Sequence, residues 1–237
     1  LELGSERPPF ESFVTSEWLI GWYSRFALGK FVDQTSATCS FDSPEFSAAL
    51  QMCKDWGQSG GTETLGQRCV LEFENIQDII RIGTIGELYH DNYCYVGFPT
   101  SSGNGSMFEL LSCFAISAQG DKQEAAWEFI RFALGNLQPD GLLGVGIPAS
   151  QSALDERLQF LIETGQTFLE FTHKIKPSDA DAFRALIENT SMVENSEQGI
   201  LKIITDESAS FFAGSKTASE AAALIQNRVQ LYLMENR

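Results

Sequence analysis

A chain of 237 residues, 43% of them hydrophobic, has enough apolar material for one large domain or two small ones, and too much for a disordered protein. A formal net charge of −16 argues against a polyanion partner such as nucleic acid, which needs a basic footprint, and against electrostatic attachment to anionic lipid. No apolar run approaches the ~20 residues of a membrane-spanning helix, and the opening LELGSERPPF carries no signal peptide and reads as an internal cut.

The elements follow in chain order. Trp18, Trp22 and Phe26, with Tyr23 beside them, stand at helical spacing near the start. That spacing favours ordinary core. The other reading is a stacking surface for sugars, whose C–H-rich faces pack on π-systems. Ser43-Pro44-Glu45 is a helix start: Ser as N-cap, Pro at the first helical position, an acid in the first turn. Phe46, Ala49, Leu50, Cys53 and Trp56 then form one apolar face. Residues 57–64, rich in Gly, Ser and Thr, stop this helix. Residues 69–73 read as a short strand, and 76–89 as a weaker helix interrupted by Gly83 and Gly86. Residues 93–98 read as a strand running into Pro99, followed by a polar glycine turn at 101–106 and a strand at 111–117.

Asp121, with Glu124 three residues on, predicts a capped helix over 122–134. Its inward stripe is Ala126, Phe129, Ile130, Ala133 and Leu134, and Trp127, like Trp56, is assigned to the core. Residues 142–149 carry Gly144, Gly146 and Pro148, with Gly141 just before them, and read as irregular or edge strand. The last third reads as helices over 153–172, 178–189 and 197–212. The 178–189 helix is capped by Ser178, with Phe183, Leu186 and Ile187 inward. The 197–212 helix carries Ile200, Leu201, Ile203 and Ile204. A final helix is opened by the capping box Thr217-x-x-Glu220, with Ala221, Leu224, Ile225, Val229 and Tyr232 inward. Strands alternating with helices make the fold class α/β, helix-rich.

Signatures of most enzyme chemistries are missing. There is no GxSxG, HExxH, GxxxxGK[ST] or strand-borne GxGxxG. Only two histidines occur, His90 and His173. The five cysteines, Cys39, Cys53, Cys69, Cys94 and Cys113, contain no CxxC pair. Neither a metal site nor a catalytic residue is expected, and no cofactor is called for. Cys53, Cys94 and Cys113 sit in apolar company, where a free thiol behaves as a small hydrophobe. The 32 acids allow a carboxylate pair, though nothing in the pattern singles one out.

Several segments carry a resemblance. They are Phe31-Val32-Asp33 followed by TCSFDSPEF at 38–46, Gly97-Phe98-Pro99-Thr100 and the loop after it, EAAWEF at 124–129, GIPA at 146–149, and FFAGSKT at 211–217 with the helix behind it. In that order they resemble bacterial extracellular solute-binding proteins of the sugar-binding, maltose-binding-protein-like type, the receptors of ABC importers. The resemblance implies a periplasmic-binding-protein-like (type II) fold of two lobes around a cleft, here partial, without its first half. Residues 1–96 would belong to the C-terminal lobe, 97–152 to an excursion into the N-terminal lobe, and 153–237 to the closing helices of the C-terminal lobe.

The implied function is to bind a sugar without covalent chemistry and deliver it to membrane permease subunits. The implied setting is extracellular, as a cell-surface lipoprotein or periplasmic protein that is monomeric at full length. Glu74 and Asn75 after a strand, Asn104 in the crossover loop, and Asn195, Glu197 and Gln198 leading into a helix are the ligand contacts it implies; each also reads as capping or surface. Two other classes stand beside this reading: a hydrolase using two acids across a cleft, and a non-catalytic interaction module that exposes apolar surface.

Overall fold

A computed structural model of the chain describes residues 10–11, 13–57, 71–76, 80–89, 93–97, 106–109, 114–135, 147–148, 150–168, 171–173, 175–190, 192–193 and 197–236. In chain order its elements are α1 (Ser16–Phe31), β1 (Val32–Asp33), β2 (Thr38–Cys39), α2 (Pro44–Trp56), α3 (Ile80–Tyr89), β3 (Met107–Phe108), α4 (Gln123–Gly135), α5 (Gln151–Glu163), β4 (Gln166–Phe168), β5 (Phe171–His173), α6 (Pro177–Asn189), β6 (Met192–Val193), α7 (Gln198–Phe212) and α8 (Ala218–Glu235). Helices dominate and short strands are interspersed, which is compatible with the helix-rich α/β class. Two antiparallel pairs, β1–β2 and β4–β5, and one parallel pair, β3–β6, are the sheets among the described residues. The chain divides into two compact units, Leu1–Phe73 with Glu194–Arg237, and Glu74–Val193; the expected excursion at 97–152 lies inside the second.

The first unit is built from α1, α2, α7 and α8 around one core. Thr15 opens α1 by accepting a hydrogen bond from the Trp18 amide at 3.2 Å, and Ser43 caps α2 through the Phe46 amide at 3.3 Å, with Pro44 at the first position as predicted. Leu19, Ile20, Leu28 and Phe31 of α1 meet Phe46, Leu50 and Cys53 of α2, Ile200, Ile204 and Phe211 of α7, and Ala221, Ile225 and Val229 of α8. The Thr217–Glu220 capping box forms with both reciprocal bonds, at 3.2 and 2.8 Å. Two glutamines one turn apart on α8 satisfy the backbone leading into α2. Gln226 accepts from the Phe41 amide at 2.6 Å and donates to the Cys39 carbonyl at 2.9 Å, and Gln230 donates to the Ala37 carbonyl at 2.9 Å. Ala37 takes a left-handed φ of 53° in the β1–β2 turn, where the Asp33 carboxylate accepts from the Thr35 and Ser36 amides.

The second unit centres on α3, α5 and α6, whose Ile82, Leu154, Leu158, Leu161, Ala180 and Phe183 cluster with Ile175. Pro177 starts α6, one residue ahead of the expected Ser178 cap, and the Asp179 carboxylate accepts from the Lys176 amide at 2.7 Å. Phe183 is buried and Leu186 and Ile187 are half-buried. Helix α3 runs unbroken through Gly83 and Gly86, both buried, instead of being interrupted by them.

Other expectations are corrected. The helix predicted over 153–172 ends at Glu163, because Gly165 takes a φ of 73° and the β-forming Thr and Phe residues beyond it make the β4–β5 hairpin. Residues 71–73, 93–97 and 114–117 lie outside any ladder, so the described parts of three expected strands are irregular. The core assignments of Trp56 and Trp127 fail: they are 47% and 51% exposed. Trp56 sits in the last turn of α2, at the edge of its buried stripe. On α4, Ile130 is buried but Phe129, expected inward, is 62% exposed. That helix starts at Gln123, so Lys122 rather than Asp121 precedes it. Cys94, expected in apolar company, is exposed. The helices at 197–212 and 217–235 follow their expected faces, with Ile200, Leu201 and Ile204 buried, and Leu224 and Tyr232 half-buried beside fully buried Ile225 and Val229.

Candidate functional site

Helix α1 is apolar on two faces. Leu19, Ile20, Leu28 and Phe31 enter the core. Trp18, Trp22 and Phe26, at four-residue spacing, are half-buried, and Trp18 packs against that core together with Phe73. Their ring centroids are 5.5 Å (Trp18–Trp22) and 6.4 Å (Trp22–Phe26) apart. Phe73 sets its ring edge-on to Trp18 at 4.5 Å, and Phe13, 39% exposed, does so at 5.7 Å. The Arg25 guanidinium lies over Trp22 at 5.0 Å from its centroid. The Phe73 amide donates to the Glu11 carboxylate at 3.4 Å. These contacts form a partly exposed aromatic ribbon with charged groups at its edge. The helical spacing of Trp18, Trp22 and Phe26 was visible in the sequence; the arrival of Phe13 and Phe73 was not, because those residues come from segments outside the helix.

Elsewhere in the first unit, Glu197 is half-buried just before α7 and accepts a hydrogen bond from the Gln34 side chain at 3.0 Å. Gln198 is the first residue of α7 and is exposed. Gly199 follows because α7 and α8 approach closely there: a Cβ at that position would come within 2.5 Å of the Tyr232 ring.

In the second unit, Glu74 lies in the irregular stretch before α3. Arg81, in the first turn of α3, grips both of its carboxylate oxygens, through Nε to Oε2 at 2.8 Å and Nη2 to Oε1. The Glu74 side chain is 17% exposed and that of Arg81 40%. Asn75 is exposed. Tyr95 packs its ring on the second core, with the Tyr93 ring edge-on at 5.4 Å. Its hydroxyl is closed to solvent. Burial pushes the Tyr95 phenol well above its ordinary pKa, with Tyr93 and then the Glu74 and Asp179 carboxylates adding to the shift.

Glu74 and Asn75 thus fall in one unit and Glu197 and Gln198 in the other, while Asn104 and Asn195 lie outside the described residues. Arg81 and Tyr95 were not singled out by sequence reasoning. The available signal for Arg81 was its position as the one charge in an otherwise uncharged stretch from Ile79 to Gly86. Among the described residues, no three His, Cys, Asp or Glu side chains are grouped to hold a metal ion. Among them, too, no helix is long and apolar enough to cross a membrane. No family model and no curated protein matches the chain.

Proposed function

We propose that the chain belongs to the substrate-binding receptor of a carbohydrate ABC importer, with a two-lobe, type II periplasmic-binding-protein-like fold and an extracellular or periplasmic setting. It binds a sugar without covalent chemistry and passes it to the membrane permease. The observation that carries this reading is the aromatic ribbon of Phe13, Trp18, Trp22, Phe26 and Phe73. Partly exposed rings with charged groups at their edge suit a ligand with apolar C–H faces and a hydroxyl rim. Glu74, Asn75, Glu197 and Gln198 supply polar contacts in this reading, and Asn104 and Asn195 are assigned with them.

A thermal-shift titration of the chain with neutral mono-, di- and trisaccharides tests it. A receptor gives a melting temperature that climbs with sugar concentration, because a ligand bound only by the folded state stabilises it. A folded chain that shows no shift with any of them sinks the reading. The second reading, an interaction module, draws on Trp127, Phe129 and Phe132 of α4, which are 51%, 62% and 66% exposed. Concentration-dependent sedimentation that Phe129→Ser abolishes would favour it.

A further inference from the structure

Helix α4 carries more apolar surface than its surroundings cover. Its buried side is Ile130, flanked by half-buried Ala126 and Ala133. Ala125, Phe129 and Phe132 follow at spacings of four and three residues and so share a second face. All three are exposed, the two rings at 62% and 66%. The Phe114 ring, itself 42% exposed, stands edge-on to Phe129 at 6.4 Å and extends this face beyond the helix. No described element packs extensively against α4. Clustered exposed rings, unlike single ones, mark a surface of contact.

The charges beside this face indicate what it contacts. Glu124, Glu128 and Arg131 run along one edge of it. Arg131 donates to the Glu128 carboxylate at 3.1 Å, and their side chains are 62% and 63% exposed. The acids stand toward the N-terminus of α4 and the base toward its C-terminus. Two copies of the helix laid antiparallel on a two-fold axis bring Arg131 of each beside Glu124 and Glu128 of the other. The same axis sets Phe132 against Ala125, large against small. A parallel pairing would set like charges together. A chain of formal net charge −16 repels its own copies, so contact between them needs local compensation. This edge supplies it twice, once for each copy.

We propose that α4 docks antiparallel on α4 of a second copy of this chain. Phe129 and Phe132 form the seam, and Arg131 of each copy pairs with Glu124 and Glu128 of the other. The inference names the partner that the interaction-module reading leaves open. It does not depend on the receptor reading, whose aromatic ribbon belongs to the first unit.

Sedimentation velocity of the whole chain across the micromolar range tests it, with the wild type expected to pass from monomer to dimer. Arg131→Glu alone, and Glu124→Arg with Glu128→Arg, should each weaken self-association by about tenfold or more, because each sets like charges together. Mixed in equal amounts, the two variants should dimerise again, since one presents acids where the other presents bases. All three positions are exposed, so the melting temperatures of both variants should stay near that of the wild type. A wild-type chain that remains monomeric overturns the inference and leaves the interaction-module reading to a partner of other chemistry. A dimer lost in Phe132→Ser but indifferent to both charge variants also overturns it, as apolar association without this register. So does a mixture of the two charge variants that stays monomeric.

Discussion

In the first unit Phe31, Phe41 and Phe46 meet ring to ring, 4.9 to 5.5 Å apart, in a core closed to solvent. In the second, Trp127, Phe129 and Phe132 of α4 leave half or more of their surface exposed. Both α2 and α4 read in sequence as apolar-faced helices with an aromatic-rich stripe. The difference lies outside the helices. Helix α2 has α1 and α8 packed against it, whereas α4 buries Ile130 as its one large side chain among those described. Periodicity announces which face of a helix wants cover; it does not announce that cover arrives.

The largest effect that would sharpen this contrast is at Phe46. Phe46→Ala opens a cavity among Phe31, Phe41 and Leu50 and is expected to cost about 3–5 kcal/mol of unfolding free energy. Phe129→Ser is expected to stay within roughly 0.5 kcal/mol. Urea denaturation of the two variants measures both. Equal costs would mean that α4 is as well covered as α2, and the contrast would be broken.

A smaller effect probes how tightly the first unit closes. Gly57 ends α2 against the start of α1, and a Cβ there would come within 2.5 Å of the Ser16 amide nitrogen and 2.8 Å of its Cα. These are backbone atoms and cannot swing aside as a side-chain end does. Gly57→Ala should cost about 1–3 kcal/mol through overpacking. Gly21→Ala, on the same α1 but with nothing within 4 Å of its added Cβ, should be neutral or stabilising, since Ala is the better helix former. A loss at Gly21 as large as that at Gly57 would refute the close approach as the cause.

What was legible follows the range of the interaction. The Ser43 and Thr217 caps were readable because both partners lie within three residues of each other. The end of α5 was not, since nothing in the apolar pattern through Phe168 and Phe171 separates a helix from a hairpin; the left-handed Gly165 separates them. The site was legible only in part. Glu74 came from the resemblance, as an acid just after an expected strand, but its engagement by Arg81 depends on where α3 begins, and the burial of the Tyr95 hydroxyl depends on the second core. Phe13 and Phe73 joined Trp18 through tertiary packing that no spacing encodes.

The smallest effect concerns the thiols, and it contrasts the units again. Cys53 is fully buried in the first core, while Cys94 of the second unit is exposed. Burial pushes the Cys53 thiol from its ordinary 9.0 up to about 12. The folded chain therefore keeps a proton that the unfolded chain releases. The stabilisation this gives is fully present below pH 9 and is lost as pH rises from there toward 12. At pH 10 the loss from this one group should reach about 1 kcal/mol relative to pH 8. Cys53→Ala should remove that part of the pH slope whatever its effect on packing at pH 8, and urea midpoints at the two pH values compare them. Native alkylation at pH 8 followed by peptide mass mapping gives the independent reading: Cys94 should be modified while Cys53 stays intact. Labelling of Cys53 at the rate of Cys94 would mean that the first core opens without global unfolding, and the contrast between the units would then be one of exposed surface alone rather than of stability.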